Sequence, residues 1–364
     1  MLLTAFTETN YTRHVWMVEP TYFLACMIFE NAGFRGRLRG VPEDDEGIDI
    51  EFLRSRLLAA KDGYMKRPES NGSASSSKMY RHVIYAVPTF SNPSGKVMSL
   101  RRRRQLLELA RKFDALIICD DVYDWLRWPA AETERDDTDL PPPLPRLVDI
   151  DRALPGGTEW GNAVSNGSFS KIVGPGVRVG WVDGSPAVVS QLCKLGVIKS
   201  GGSQAHLTSM IIGRLLSSGD LERHIGGTLI PTYRRRYHVM LRAIEEQLLP
   251  LGITTALLGG KNGEVVTSPT VVGGFFIWLN FPGTSVSAER VAKLALEHHD
   301  LRVAHGGMMT VAGDGECAKR AERGFGMGVR LCWAWHTEDE IKEGIGRLAM
   351  AFEEAQRGFI DRAE

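Results

Sequence analysis

Lys171 lies in Ser168-Phe169-Ser170-Lys171, and seven residues on, Arg178 sits in Gly174-Pro175-Gly176-Val177-Arg178-Val179-Gly180. A primary amine flanked by hydroxyls, with a guanidinium one Gly/Pro-rich turn away, suits one kind of chemistry. The amine can form an imine with an aldehyde cofactor while the hydroxyls and the guanidinium hold a phosphate on the same molecule. Ser-x-x-Lys alone is unspecific, so the pattern gains weight only from the parts that accompany it.

Four further places could supply those parts. Ile117-Ile118-Cys119-Asp120-Asp121-Val122-Tyr123 reads as a buried strand ending in carboxylates. Such an end faces the crevice where α/β proteins bind ligands. A carboxylate there could keep a pyridine nitrogen protonated, and Tyr123 could reach the same ligand; a strand-end Asp capping a turn is the plainer reading. In Pro88-Thr89-Phe90-Ser91-Asn92-Pro93-Ser94-Gly95 the proline restrains Asn92, whose neutral amide could donate to a phenolate oxygen; an ordinary Asn-Pro turn is the alternative. Tyr22, in Glu19-Pro20-Thr21-Tyr22-Phe23, could stack on a flat ring or simply fill the core. Arg330, in Gly328-Val329-Arg330-Leu331-Cys332-Trp333, is a cation in an apolar strand. It must find an anion, either a substrate carboxylate or a structural Asp or Glu.

These residues need a scaffold, and the apolar periodicity supplies one. Strands are predicted at His14–Val18, Val83–Val87, Leu116–Cys119, Val164–Ser168 and Val179–Asp183, with helices at Thr21–Ala32, Leu100–Phe113 and Pro186–Val197. Near-continuous apolar strands alternating with helices imply a parallel α/β sheet. A helical region follows at Leu221–Leu249. Beyond it come strands at Gly274–Phe281, Leu301–Ala304 and Val329–Trp333 and helices at Ala288–His298 and Glu338–Gln356, the pattern of a smaller α+β domain. The expected division is residues 1–220 as a large domain, 221–250 as an interdomain helix and 251–364 as a small domain. Gly63–Lys78 and Pro129–Pro145 read as polar surface loops without chemistry.

Composition narrows the class. Lys+Arg and Asp+Glu both number 44 in 364 residues, so the formal net charge is zero. That argues against nucleic acid or an anionic membrane as partner. The runs Arg101–Arg104 and Tyr233–Tyr237 are therefore expected to be solvated faces. Cys26, Cys119, Cys193, Cys317 and Cys332 show no C-x-x-C spacing, and the histidines, His298, His299, His305 and His336 among them, show no metal-ligand spacing. No apolar run approaches the ~18 residues of a membrane span, and the first residues do not read as a secretory signal. A reduced, cytoplasmic setting is the expectation.

Taken together and in this order, the E-P-T-Y, N-P-S-G, D-D-V-Y and S-F-S-K segments, the G-P-G-V-R-V-G-W segment and the late arginine strand resemble the class I/II aminotransferases. These are pyridoxal-phosphate enzymes of fold type I, with a mostly parallel seven-stranded sheet in a large domain and a smaller C-terminal domain. Asp120-Asp121-Val122-Tyr123-Asp124-Trp125-Leu126 and Lys199-Ser200-Gly201-Gly202-Ser203-Gln204 resemble fungal members of the 2-aminoadipate/kynurenine or valine–pyruvate type. The resemblance implies amino transfer between an amino acid and a 2-oxo acid, and a homodimer. It also implies roles. Lys171 would carry the cofactor as an imine and then move the proton at the substrate Cα. Asp120 would pair with the ring nitrogen, Tyr123 and Asn92 with the ring oxygen. Tyr22 would stack on the ring, and Ser168 and Arg178 would hold the phosphate. Arg330, with Asn92, would grip the substrate carboxylate.

The family also carries a Gly-Ser-Gln-like turn at a helix start ahead of the first strand found here, an anion site of the usual kind. By the resemblance this chain begins within that helix and lacks the turn. Two or three hydrogen bonds to the phosphate, each of ~1.5–3 kcal/mol, are expected to be missing. Two other outcomes follow from the same residues: an eliminating lyase or synthase of the same fold, and a non-catalytic paralogue.

Overall fold

Every residue of His82-Val83-Ile84-Tyr85-Ala86 is buried, and so is nearly every residue of the two strands beside it. A strand covered on both faces belongs in the middle of a sheet, with helices on either side. The computed structural model describes residues 1–60, 77–132, 140–201, 205–258, 270–281 and 286–360. Most of the predicted loop Gly63–Lys78 and part of Pro129–Pro145 lie outside the described residues, as does Gly202–Gln204.

Twelve strands are described: β1 His14–Glu19, β2 Leu38–Asp44, β3 Gly47–Ile48, β4 His82–Ala86, β5 Ala115–Asp120, β6 Arg127–Pro129, β7 Ala163–Ser168, β8 Gly180–Asp183, β9 Val271–Gly273, β10 Phe276–Asn280, β11 Ala304–His305 and β12 Gly328–Cys332. Seven of them form one sheet in the order β3-β2-β1-β4-β5-β7-β8. The pairs from β2 through β7 are parallel, and the outer strands β3 and β8 run antiparallel. Alternate side chains of one strand enter opposite layers. Val15 and Met17 of β1 pack with Tyr85, Ile118 and Val164, whereas Trp16 and Val18 pack with Ile84, Ile117, Leu106 and Leu107. The chain thus has the fold type I architecture, a mostly parallel sheet between helical layers.

A second sheet, β10-β12-β11, is antiparallel and pairs Arg330 with Trp278 on one side and Ala304 on the other. The predicted strand Leu301–Ala304 is reduced to Ala304–His305, because only these two residues reach β12. The predicted helix Thr21–Ala32 is α-helical over Phe23–Phe29 and then widens into a π turn, Glu30–Phe34. There Gly33 has φ 94°, and a Cβ on it would lie 2.7 Å from the Thr9 methyl carbon. The predicted helix Leu221–Leu249 is likewise interrupted, by a π turn at Ile225–Leu229.

The arginine runs depart from their expected solvation. The helix Leu100–Lys112 is capped by Ser99, whose hydroxyl accepts from the Arg102 N–H. Its inward face carries Arg103, Leu106, Leu107 and Ala110, so Arg102 and Arg103 are buried and only Arg101 and Arg104 face water. The second run is partly packed as well. Tyr237 is buried edge-to-face on Trp128 and Trp333, and Arg236 donates to the Ala334 carbonyl.

Neutral histidines lie paired at the N-terminal ends of the central strands β1 and β4. Trp16 Nε1 donates to His82 Nδ1 at 3.3 Å, and the His14 and His82 rings stack at 6.1 Å. Burial, then the charges of His14, Arg81 and Arg13, push His82 down to about 3. Folding therefore selects neutral His82, and its contribution is full above the unfolded value of 6.5 and is lost as pH falls toward about 3. Between pH 6.5 and 5 this amounts to roughly 2 kcal/mol. Urea unfolding across that window should show this slope in the wild type and a shallower one in His82→Asn; identical slopes would contradict it.

Candidate active site at the C-terminal edge of the sheet

β5 ends at Asp120, and the turn after it presents Tyr123. Because β4 and β5 pair Tyr85 with Ile118, Asp120, two residues further on, emerges on the Tyr85 face. The Tyr85 hydroxyl donates to Asp120 Oδ2 at 2.7 Å. Burial raises the Asp120 carboxyl, and the Tyr85 hydrogen bond and the Lys171 charge oppose that shift.

β7 ends at Ser168 and passes straight into a 3₁₀ turn, Phe169–Lys171. Ser168 caps that turn, accepting from the Ser170 N–H at 3.1 Å, which sets the direction in which Lys171 leaves the backbone. Lys171 Nζ lies 5.3 Å from the Phe275 ring centre and 5.9 Å from that of Tyr123. Burial lowers the Lys171 ammonium, Arg330 adds to the effect, and Cys332 and Asp120 work against it. Tyr123 is buried against Phe275 and Phe276, and its hydroxyl is held above its ordinary value by burial and by Asp120.

The second sheet supplies Arg330. Its Nη1 donates to Asn92 Oδ1 at 2.6 Å, and its guanidinium carbon lies 4.2 Å from the centre of the Phe276 ring. Arg330 Nε is buried and has no hydrogen-bond partner among the described residues. Asn92 is itself buried, within a loop whose Gly95 (φ 74°) runs close to the Phe276 carbonyl. Tyr22, immediately before the helix Phe23–Phe29, is half-buried and feels both Asp120 and Arg330. Six of the residues singled out from sequence are therefore brought together, linked by hydrogen bonds, ring contacts or charge: Lys171, Asp120, Tyr123, Tyr22, Asn92 and Arg330.

Ser168 and Arg178 meet through a residue that the resemblance did not assign. Ser170 Oγ accepts from Ser168 Oγ at 2.9 Å and from Arg178 Nη1 at 3.3 Å. Arg178 is exposed, in the left-handed region (φ 51°), and also donates to the Pro175 carbonyl. Hydroxyls and a guanidinium are gathered next to Lys171 in the chain, a set of donors with the character of an anion site.

Sequence reasoning missed Tyr85, Phe275 and Cys332. Tyr85 was recoverable in part, since its place in β4 fixes its face but not its partner. Phe275 and Cys332 carried no signal beyond an apolar run. Tyr85→Phe would remove the hydroxyl donor of a half-buried carboxylate, which costs about 1–3 kcal/mol. Urea unfolding of the variant should show that loss; a change below about 0.5 kcal/mol, the size of an ordinary surface substitution, would show that the bond is dispensable.

Comparison with known proteins bears on the family and the fold. The family model "Aminotransferase class I and II" matches residues 1–348. An uncharacterized protein of Saccharomyces cerevisiae is 35% identical over 353 residues, which are 95% of this chain and 73% of that protein. Aromatic-amino-acid aminotransferase 1 of Thermococcus litoralis is 28% identical over 341 residues, covering 93% of this chain and 66% of the relative. Among solved structures, the Pyrococcus horikoshii kynurenine aminotransferase superposes with a TM-score of 0.68 at 26% identity, over 97% of this chain and 72% of that one. These matches support a pyridoxal-phosphate-dependent aminotransferase function. The chain belongs to the class I and II aminotransferase family.

Proposed function

We propose that the cleft around Lys171 transfers an amino group between an amino acid and a 2-oxo acid with pyridoxal phosphate as cofactor. One observation carries this reading: a half-buried lysine feels both a carboxylate at the end of β5 and an arginine of β12, three groups from distant parts of the chain. The residues present fit the cofactor. Asp120 is a half-buried carboxylate that accepts from the neutral Tyr85 hydroxyl, suited to a protonated ring nitrogen. Ser168, Ser170 and Arg178 suit a phosphate.

Bound there, pyridoxal phosphate would supply a carbonyl that amines can attack and a ring that takes up electron density. The chain supplies the rest. Lys171, its ammonium lowered by burial, is more readily neutral than a surface lysine and can hold or release a proton beside the substrate Cα. Asp120 keeps a positive charge on the ring favourable. Arg330 donates to Asn92 Oδ1, which leaves the Asn92 N–H₂ as the group that would donate to the ring oxygen. The buried Arg330 Nε is a donor for a substrate carboxylate. Tyr22 offers a ring face to the cofactor.

Three coarser features belong to the same reading. Residues 1–220 form the large domain, 221–250 the connecting helix and 251–364 the small domain; the seven-stranded sheet ends at Asp183, and the β10-β12-β11 sheet begins at Phe276. A homodimer is favoured by two exposed apolar faces with helical spacing, Leu24, Met27 and Ile28 on one helix and Leu207, Met210 and Ile211 on another. The five unpaired thiols suit a reducing, cytoplasmic setting.

With 2-oxoglutarate and a panel of amino acids, the purified chain should form glutamate, and Lys171→Ala should abolish it. No glutamate from any donor would contradict the reading. Arg330→Gln should lower kcat/KM about 100-fold, the loss expected when a charged two-point contact is removed. A loss below about threefold would remove Arg330 from the site.

A further inference from the structure

Arg103 is fully buried, and among the described residues no carboxylate hydrogen-bonds to it, although the charges of Asp121 and Asp124 act on it. Its guanidinium is satisfied by four neutral acceptors. Nε donates to the Met98 carbonyl at 3.0 Å, Nη1 to the Pro145 carbonyl at 2.9 Å, and Nη2 to the Pro88 carbonyl at 3.1 Å and to Thr89 Oγ1 at 2.8 Å. A buried cation is costly unless its fixed fork does something an apolar side chain cannot.

The positions of the acceptors show what that is. Pro88 and Thr89 lie just beyond the exit of β4, and Met98 is where the chain returns to enter the helix Leu100–Lys112. The Met98 N–H also bonds to the Pro88 carbonyl at 2.8 Å, so the segment 88–98 is a closed loop with Arg103 bound at its neck. Within the loop the Ser91 N–H bonds to the Lys96 carbonyl and the Gly95 N–H to the Ser91 carbonyl. These bonds make one rigid piece, and Asn92 at its tip accepts from Arg330 of the second sheet.

We propose that Arg103 is a positioning residue of the active site: by clamping both ends of the loop 88–98 it places Asn92 where Asn92 holds Arg330 in the cleft. The inference rests on the reading of Asn92 and Arg330 as substrate ligands. It goes beyond that reading by assigning the geometry of the pair to a guanidinium that touches neither. A lysine in its place offers one ammonium and cannot span the Pro88, Met98 and Pro145 carbonyls together.

The test is a double-mutant cycle on the holoenzyme, using Arg103→Lys, Asn92→Ala and the double variant, with 2-oxoglutarate as the probe. Arg103→Lys keeps the charge and much of the volume, which guards against simple misfolding; Arg103→Met serves if it does not. KM for 2-oxoglutarate should rise about tenfold in Arg103→Lys while kcat changes less than about threefold, and the same substitution should add less than about twofold in the Asn92→Ala background. Amide hydrogen exchange at 89–98 should quicken in Arg103→Lys, with exchange in β4 and β5 unchanged. Equal KM effects in both backgrounds, or unchanged exchange in the loop, would overturn the proposal. If the wild type makes no glutamate but the loop exchange still quickens, the clamp stands and the transaminase reading is what fails.

Discussion

Asp120 is the constraint on which the site turns. A carboxylate at the end of a strand buried on both faces is stable only if its charge is balanced nearby, and here the balance is indirect. A phenol, Tyr85, donates to one oxygen, and Lys171 contributes its charge across the cleft. Neither neutralises the carboxylate, which remains available to a cationic partner. Lys171 is in the mirror-image position: burial lowers its ammonium, and Asp120 and Cys332 restrain the shift. Each group is kept away from its ordinary ionisation by the same apolar surroundings, as expected where chemistry rather than stability decides the residue.

The two sheets are joined at the site by arginines. Arg330 crosses from β12 to Asn92. Arg320, from the helix Gly315–Glu322, pairs with the buried Glu19 carboxylate and reaches the Gly40 carbonyl. These contacts bind the end of β1, the start of β2 and the Asn92 loop to the C-terminal part of the chain. Arg103 does similar work within the large sheet. Removing any one of them would leave an oxygen or a cation stranded in an apolar layer, which is why such residues fix geometry as well as stability.

Much of this was legible in the sequence, for identifiable reasons. The central strands announced themselves because burial on both faces leaves unbroken apolar runs, as at Val83–Val87 and Leu116–Cys119. Asp120, Tyr123 and Arg330 stood out as polar or charged side chains at a strand end or within a strand, Lys171 through the hydroxyls and the arginine near it, and Asn92 through the proline that follows it. Other features were hidden. β2 carries Arg39, Gly40, Pro42 and two acidic residues, so its pattern reads as a loop, and only its pairing with β1 makes it a strand. Arg103 belongs to a run of four arginines that looks uniformly solvated; which of them is buried depends on where the helix meets the sheet, and one-dimensional spacing does not contain that. Tyr85 had its face fixed by alternation, but its partner depends on the register between β4 and β5.

Lys171 is the half-buried primary amine that feels both Asp120 and Arg330, and the account makes it the amine that carries the cofactor. The most direct measurement is to incubate the native chain with pyridoxal phosphate, reduce with borohydride and map the modified peptides by mass. The account predicts a single major adduct on the peptide containing Lys171, lost when the protein is unfolded before labelling. An adduct concentrated on any other lysine, or spread across surface lysines alone, would contradict it.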